Sequence, residues 1–165
     1  MKEFKKTRAT ECQRIEEDSE QSSKRHFTAA DRWSSYNNWL GIPSVLIAAI
    51  ASAVSFATVP VLGGILTAAT ACLTAILTFL KPSERSASHT AFGNQYLRLR
   101  NETRMFREID LPRLNDEDTI SDNLKQYALQ RDNLNDGAPI TADNDYKKAN
   151  DGIESGQTEY KVDKK

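Results

Sequence analysis

Two apolar runs dominate the pattern, a few residues apart. Trp39 to Ala57 (WLGIPSVLIAAIASAVSFA) and Leu62 to Leu80 (LGGILTAATACLTAILTFL) each supply 19 residues without a formal charge. About 20 apolar residues in a helix cross about 30 Å of hydrocarbon, so each run is predicted to be one transmembrane helix. Between them Thr58-Val59-Pro60-Val61 carries a proline, and Gly63-Gly64 follows. Proline removes a donor and biases its predecessor away from helix, which predicts a tight turn over 58–61.

Outside these runs the apolar positions thin to seams. Ile15, Ser19, Ser22, His26, Ala29, Trp33 and Tyr36 recur at alternating steps of four and three, and so do His89, Phe92, Tyr96, Leu99, Thr103 and Phe106. That is the spacing of paired helices. Many seam positions are small or polar, so each flank is expected to pack on the other or on a neighbouring subunit. The first flank is expected to run on into the first span, with a break or kink near Gly41-Ile42-Pro43. Pro82 punctuates the exit of the second span, and Ser83 is the candidate cap of the next helix. Residues 121–134 suit a short helix. The remainder has little to bury and is expected to be disordered, or ordered only on binding. The predicted order is thus a cytoplasmic N-terminal helix (1–38), span one (39–57), an extracytoplasmic turn (58–61), span two (62–80), a cytoplasmic helix (81–113) and an acidic, partly disordered tail (114–165).

Charge sharpens this reading. The whole chain has a formal net charge of −1 with 27% charged residues, yet none of its 22 Lys and Arg or 23 Asp and Glu lies between 33 and 80. A soluble domain with ordinary charge content almost never leaves such a gap. Lys24, Arg25 and Arg32 precede the first span; Lys81, Arg85, Arg98 and Arg100 follow the second; the turn has no charge. The bias of basic residues toward the cytoplasm then places both termini there, with Trp33, Tyr36 and Trp39 as an aromatic belt. The N-terminus is charged and lacks an apolar core, so it does not read as a cleaved signal peptide. The fold class is an all-α membrane protein: a two-transmembrane helical hairpin with long cytoplasmic helical flanks, in an oligomeric bundle.

Candidate chemistry is sparse. Cys12 and Cys72 form neither a disulfide framework nor a metal motif. His26 and His89 lie on seams without a nucleophile, carboxylate pair or ligand spacing, so no catalytic residue, metal or cofactor is expected and the chain does not read as an enzyme. The second span carries a hydroxyl stripe, Thr67, Thr70, Thr74 and Thr78, within an arc of roughly 80°. Leu66, Leu73, Ile76, Leu77 and Leu80 fall mostly elsewhere and are assigned to lipid. Ser44, Ala48, Ala51, Ser52 and Ser55 make a small-residue face on the first span. The stripe either packs the hairpin, its threonines bonding back to their own helix, or lines a water-filled pore once hairpins assemble. Arg98, Arg100, Arg104 and Arg107 follow the second span, the last three on one face. They are either a solvated face near anionic headgroups or a surface that reads the phosphates of a nucleotide or oligonucleotide.

The stretch KRHFTAADRWSSYNNWLGIP, two spans with a minimal turn, and then FLKPSERSASHTAFGNQYLRLRNE resembles the SLATT domains, the two-transmembrane effector modules associated with bacterial nucleotide-signalling systems. The residues carrying the match are His26, Ala30, Arg32, Gly41, Ile42 and Pro43, then Glu84, Arg85, His89, Tyr96 and Leu99; the similarity covers roughly residues 10–110. The resemblance implies a bacterial inner-membrane effector of antiphage defence that assembles into a homo-oligomeric pore. It also implies a nucleotide or oligonucleotide trigger from a partner nucleotidyltransferase, with membrane depolarisation and abortive infection as the outcome. On that reading Thr67, Thr70, Thr74 and Thr78 are the candidate pore lining, and the four arginines are the candidate regulator site. A non-conducting scaffold that recruits a cytoplasmic partner is the alternative.

Overall fold

A computed structural model describes residues 2–56, 60–158 and 160. Every regular element among them is helical: α1 (Lys2–Phe56), α2 (Pro60–Leu80), α3 (Pro82–Met105), a π-helical turn (Phe106–Asp110), the single turn α4 (Leu111–Arg113), α5 (Glu117–Gly137) and α6 (Asp143–Glu154). The all-α class expected from the pattern is observed. Of the turn expected at 58–61, residues 58 and 59 lie outside the described residues, and α2 is already under way at Pro60. Pro43 sits inside α1. It deletes one intrahelical hydrogen bond, yet no break divides flank from span at Gly41–Pro43.

The joint between α2 and α3 is a single residue. Lys81 takes φ 46°, and its N–H donates to the Leu77 carbonyl at 2.9 Å. This left-handed residue closes α2 in the way glycine usually does. Pro82 then opens α3, where its missing N–H costs nothing. The cap therefore falls on Lys81, and Ser83, the expected cap, lies inside the first turn. Arg85 Nε donates to the Leu80 carbonyl at 2.9 Å, satisfying another free acceptor of the α2 terminus.

The chain divides into two compact units, residues 30–87 and residues 1–29 with 88–165. In the first, buried and half-buried positions mark a seam along each helix: Leu40, Ser44, Ile47, Ala51 and Val54 on α1, and Gly63, Leu66, Thr70, Leu73 and Leu77 on α2. Both runs step by three and four, the spacing of knobs-into-holes packing. The helices approach closely at Gly63, because a Cβ added there would lie 2.6 Å from Ser55 Oγ. The leucines overturn one expectation. Leu66, Leu73, Leu77 and Leu80 are half-buried at the seam rather than directed outward, while Ile76 is exposed. A leucine gains only by packing, whereas a threonine satisfies its hydroxyl on its own helix and can stay outside. Both long helices have segments apolar and long enough to cross a membrane, of which only 11% and 6% is buried. Trp39 and Phe79 stand 78% and 85% exposed.

The other unit is built on the two predicted seams. Ile15, Ser19, His26 and Ala29 of α1 are buried, as are His89, Tyr96, Leu99, Thr103 and the following Phe106. Ser23 rather than Ser22 takes the buried place, its Oγ donating to the Gly93 carbonyl at 2.8 Å. Cys12, Phe106, Leu111 and Ile120 form an apolar cluster, with Phe4, Leu124 and Tyr127 packed around it. Asp116 caps α5 by accepting from the Thr119 N–H at 3.1 Å, and the Thr119 hydroxyl also donates to it. These bonds hold its carboxyl below the usual range.

In the acidic tail, expected to be partly disordered or ordered only on binding, α5 and α6 are helical. α5 extends beyond the short helix expected at 121–134, and α6 lies within the segment expected to have little to bury. What α6 buries is small or polar: Asp145, Ala149 and Gly152. A Cβ on Gly152 would meet Lys24 Cε and Gln157 Oε1, each at 2.9 Å, so α6 approaches α1 closely there. Gln21 Nε2 donates to Asn150 Oδ1 at 3.0 Å, and Lys24 Nζ to Gln157 Oε1 at 2.7 Å.

Candidate functional site

The hydroxyl stripe lies beside the hairpin seam. Thr67, Thr74 and Thr78 are exposed and Thr70 is half-buried. Thr67 Oγ1 donates to the Gly63 carbonyl at 2.9 Å, Thr70 to Leu66 at 3.0 Å and Thr78 to Thr74 at 2.8 Å. Thr74 Oγ1 lies 3.4 Å from Ser44 Oγ, tying the stripe to the small-residue face of α1. Of that face Ser44 and Ala51 are buried, while Ser52 is exposed and donates to the Ala48 carbonyl at 3.0 Å. A back-bonded threonine keeps an unused lone pair outward. The edge can therefore meet either another helix or water.

Residues that carry the family resemblance gather in two places. In the unit of 1–29 and 88–165, His26 Nδ1 and His89 Nδ1 stand 3.0 Å apart, with the residues only 4% and 3% exposed. Two ring nitrogens at that distance share one hydrogen, so one ring donates and the other accepts. The His26 ring stacks on Tyr96 with centroids 5.5 Å apart and on Phe92 at 5.9 Å. Tyr96 Oη donates to Asn135 Oδ1 at 2.8 Å. Burial depresses the His26 pKa to about 4, helped by His89 and Arg25 and opposed by Asp145. Burial pushes the Tyr96 phenol upward. The His26 imidazole, stacked on two aromatic rings and bridged to His89, organises a polar core and is a poor base near neutral pH.

In residues 30–87, the Arg85 guanidinium lies 4.8 Å from the Trp33 ring centroid. Arg32 lies 5.2 Å from Trp33 and 6.0 Å from Tyr36, arranging two cations about one indole. Ser86 Oγ donates to the Ala30 carbonyl at 2.9 Å, and Glu84 pairs with Lys81 at 3.1 Å. Pro43 stays within α1, half-buried.

The arginines of α3 and the π-helical turn are placed differently from one another. Arg98 is largely exposed and pairs with Glu102 at 3.4 Å. Arg107 makes two hydrogen bonds to the Glu16 carboxylate, at 2.7 and 3.0 Å, which raise its own pKa. Arg100 Nε reaches Glu20 at 3.3 Å. Arg104 lies 4.6 Å from the Tyr160 ring centroid, and Arg100 lies 5.6 Å from the same ring. The expected common face is thus partly occupied by this chain's own groups. Glu16 and Glu20, one turn apart on α1, are the partners that sequence reasoning missed; pairing them with arginines two turns apart requires knowing which helix faces meet.

Other reactive groups are quiet. Cys12 is buried, and its thiol is pushed up to about 11 by burial and by Glu16, far from thiolate character at neutral pH. Cys72 is exposed. Among the described residues no group of three or more His, Cys, Asp and Glu is placed to hold a metal ion. Comparison with known proteins finds no match: no family model, no curated protein and no solved structure matches the chain.

Proposed function

We propose that the chain is a two-span protein of the bacterial inner membrane, both termini cytoplasmic, that assembles as a homo-oligomer into a pore. The observation that carries this reading is the bareness of the apolar segments: only 11% and 6% of them is buried within the chain. A surface with Val45 70%, Ile65 61% and Phe79 85% exposed far exceeds what a soluble monomer leaves uncovered. Lipid covers it, and neighbouring hairpins cover part of it. The exposed hydroxyl edge of Thr67, Thr74 and Thr78 is the most polar strip on the second span and faces the pore. The resemblance to SLATT effectors supplies the biological setting: antiphage defence, with a nucleotide or oligonucleotide from a partner nucleotidyltransferase gating the pore through the arginine face. Depolarisation and abortive infection follow when it opens.

Cysteine accessibility tests the pore directly. Thr74 and Cys72 lie roughly 160° apart around an ideal helix. In Cys72→Ser, Thr74→Cys protein in liposomes, a membrane-impermeant cationic thiosulfonate should modify residue 74 and reduce current. Native Cys72 should stay unmodified. Labelling of both positions, or neither, removes the stripe from the pore.

A non-conducting scaffold is the second reading, and one observation favours it. Every threonine hydroxyl of the stripe has a partner within the hairpin, so the edge is complete without water. Purified protein that inserts and oligomerises in liposomes without permeabilising them, with and without nucleotide, would select the scaffold.

A further inference from the structure

The one guanidinium of the arginine face without an ion pair among the described residues is Arg104; its contact is the Tyr160 ring, 4.6 Å from centre to centre. The same ring lies 5.6 Å from Arg100, and Arg100 Nη2 donates weakly to the Thr158 carbonyl at 3.5 Å. Glu20 holds Arg100 from the other side at 3.3 Å, with both side chains largely buried. Two guanidinium planes therefore converge on one aromatic ring that belongs to a segment beyond the last helix. The ring is still 39% exposed, so water reaches it and it can leave without unpacking a core.

An aromatic ring within reach of two guanidinium groups is an arrangement that a nucleobase reproduces, because guanidinium stacks on any π-face. A nucleotide would add what Tyr160 lacks, phosphate oxygens for the fork of donors that Arg104 leaves unpaired. No carboxylate pairs with Arg104 among the described residues; its contact is the face of a ring.

We propose that the segment carrying Thr158 and Tyr160 is an intramolecular occupant of the Arg100–Arg104 face, and that a ligand with an aromatic base and phosphates displaces it. This rests on reading the arginine face as a phosphate site. It adds a competitor: the face is available only while the tail is away, and the apparent affinity falls by the fraction of time that Tyr160 is off. It also couples the ligand to the terminal segment, since binding releases Tyr160. Phosphate headgroups of lipid share the charge but carry no ring, so base stacking separates the two sources.

The test measures binding of ATP and of inorganic triphosphate to full-length protein in nanodiscs of zwitterionic lipid. Tyr160→Ala should bind ATP about five- to tenfold more tightly than the unsubstituted chain, the scale of one aromatic–guanidinium contact. Triphosphate should bind at least about tenfold more weakly than ATP to the same protein, because it cannot stack. Arg104→Gln should lose ATP binding in both backgrounds. Arg104→Lys should keep triphosphate binding while losing the preference for ATP. ATP binding that Arg104→Gln abolishes but Tyr160→Ala leaves unchanged would overturn the tail as competitor and leave the arginine site standing. Equal affinity for triphosphate and ATP would overturn base stacking and point to headgroup phosphate. ATP binding to neither the unsubstituted chain nor Tyr160→Ala, or binding indifferent to Arg104→Gln, would overturn the arginine site itself.

Discussion

Lowering the pH should loosen the unit that contains the histidine pair, and the sign follows from the buried imidazole. His26 has an ordinary value of 6.5 and is depressed to about 4 in the folded chain. Between those values the unfolded chain binds the proton and the folded one does not. The stability His26 contributes is thus fully present above about 6.5 and is lost as pH falls toward 4. The whole shift corresponds to ~3 kcal/mol, of which about 2 kcal/mol is lost between pH 7 and pH 5. The geometry explains the resistance. Burial of the ring comes first, His89 and Arg25 add to it, and Asp145 only partly offsets them.

Far-UV circular dichroism melts of the full chain in neutral detergent at pH 7 and pH 5 measure this. For a unit of roughly 100 residues, 2 kcal/mol lowers the midpoint by about 8–16 °C. His26→Gln keeps a neutral hydrogen-bonding group beside His89 at both pH values, so most of the acid sensitivity should vanish while carboxylate contributions remain. A drop of the same size in His26→Gln would refute the assignment. So would an imidazole resonance of His26 that titrates near pH 6.5 in the folded protein.

Three further outcomes follow from packing and from the stripe. Gly63→Ala should destabilise the hairpin by about 1–3 kcal/mol, because its Cβ would sit 2.6 Å from Ser55 Oγ. Ser55→Ala should recover most of that in the double variant, where the remaining Ser55 neighbours are 3.4 and 3.5 Å away; additive losses in a thermal-melt cycle would contradict it. Ser19 Oγ and Thr103 Oγ1 are fully buried with no hydrogen-bond partner among the described residues, so Thr103→Val and Ser19→Ala should each be neutral or stabilising by up to ~1 kcal/mol; a loss of 2 kcal/mol or more in denaturant titration would show a hidden partner. Thr74→Leu should lower unitary conductance without preventing assembly, and unchanged single-channel current would exclude Thr74 from the lumen.

How far the sequence could be read depends on which interactions leave a periodic trace. The seams of α1 and α3 were legible because one helix face must repeat every three or four residues whatever it touches. That rule places His26 and His89 on seams but not opposite each other, since their meeting depends on register across a sequence separation of 63. The same limit hid the ion pairs of Arg100 and Arg107 with Glu20 and Glu16, so a row of arginines on one face looked open. It also misassigned the leucines of α2. One helix with a leucine stripe and a threonine stripe does not disclose which faces its partner, and hydropathy sends leucine to lipid by default. In a bilayer, however, leucine gains nothing from leaving lipid except close packing, and the hairpin seam supplies it through the Gly63–Ser55 approach. α6 escaped for the opposite reason. Its buried residues, Ala149 and Gly152, are small and contribute little apolar area, so composition reads the segment as having little to bury. What docks it is close approach to Lys24 and side-chain hydrogen bonding from Gln21 and Lys24. Such a surface is held by fit and polar pairing more than by hydrophobic area. If weak docking extends to the segment that follows α6, Tyr160 can exchange with a ligand while the helical core of its unit stays intact.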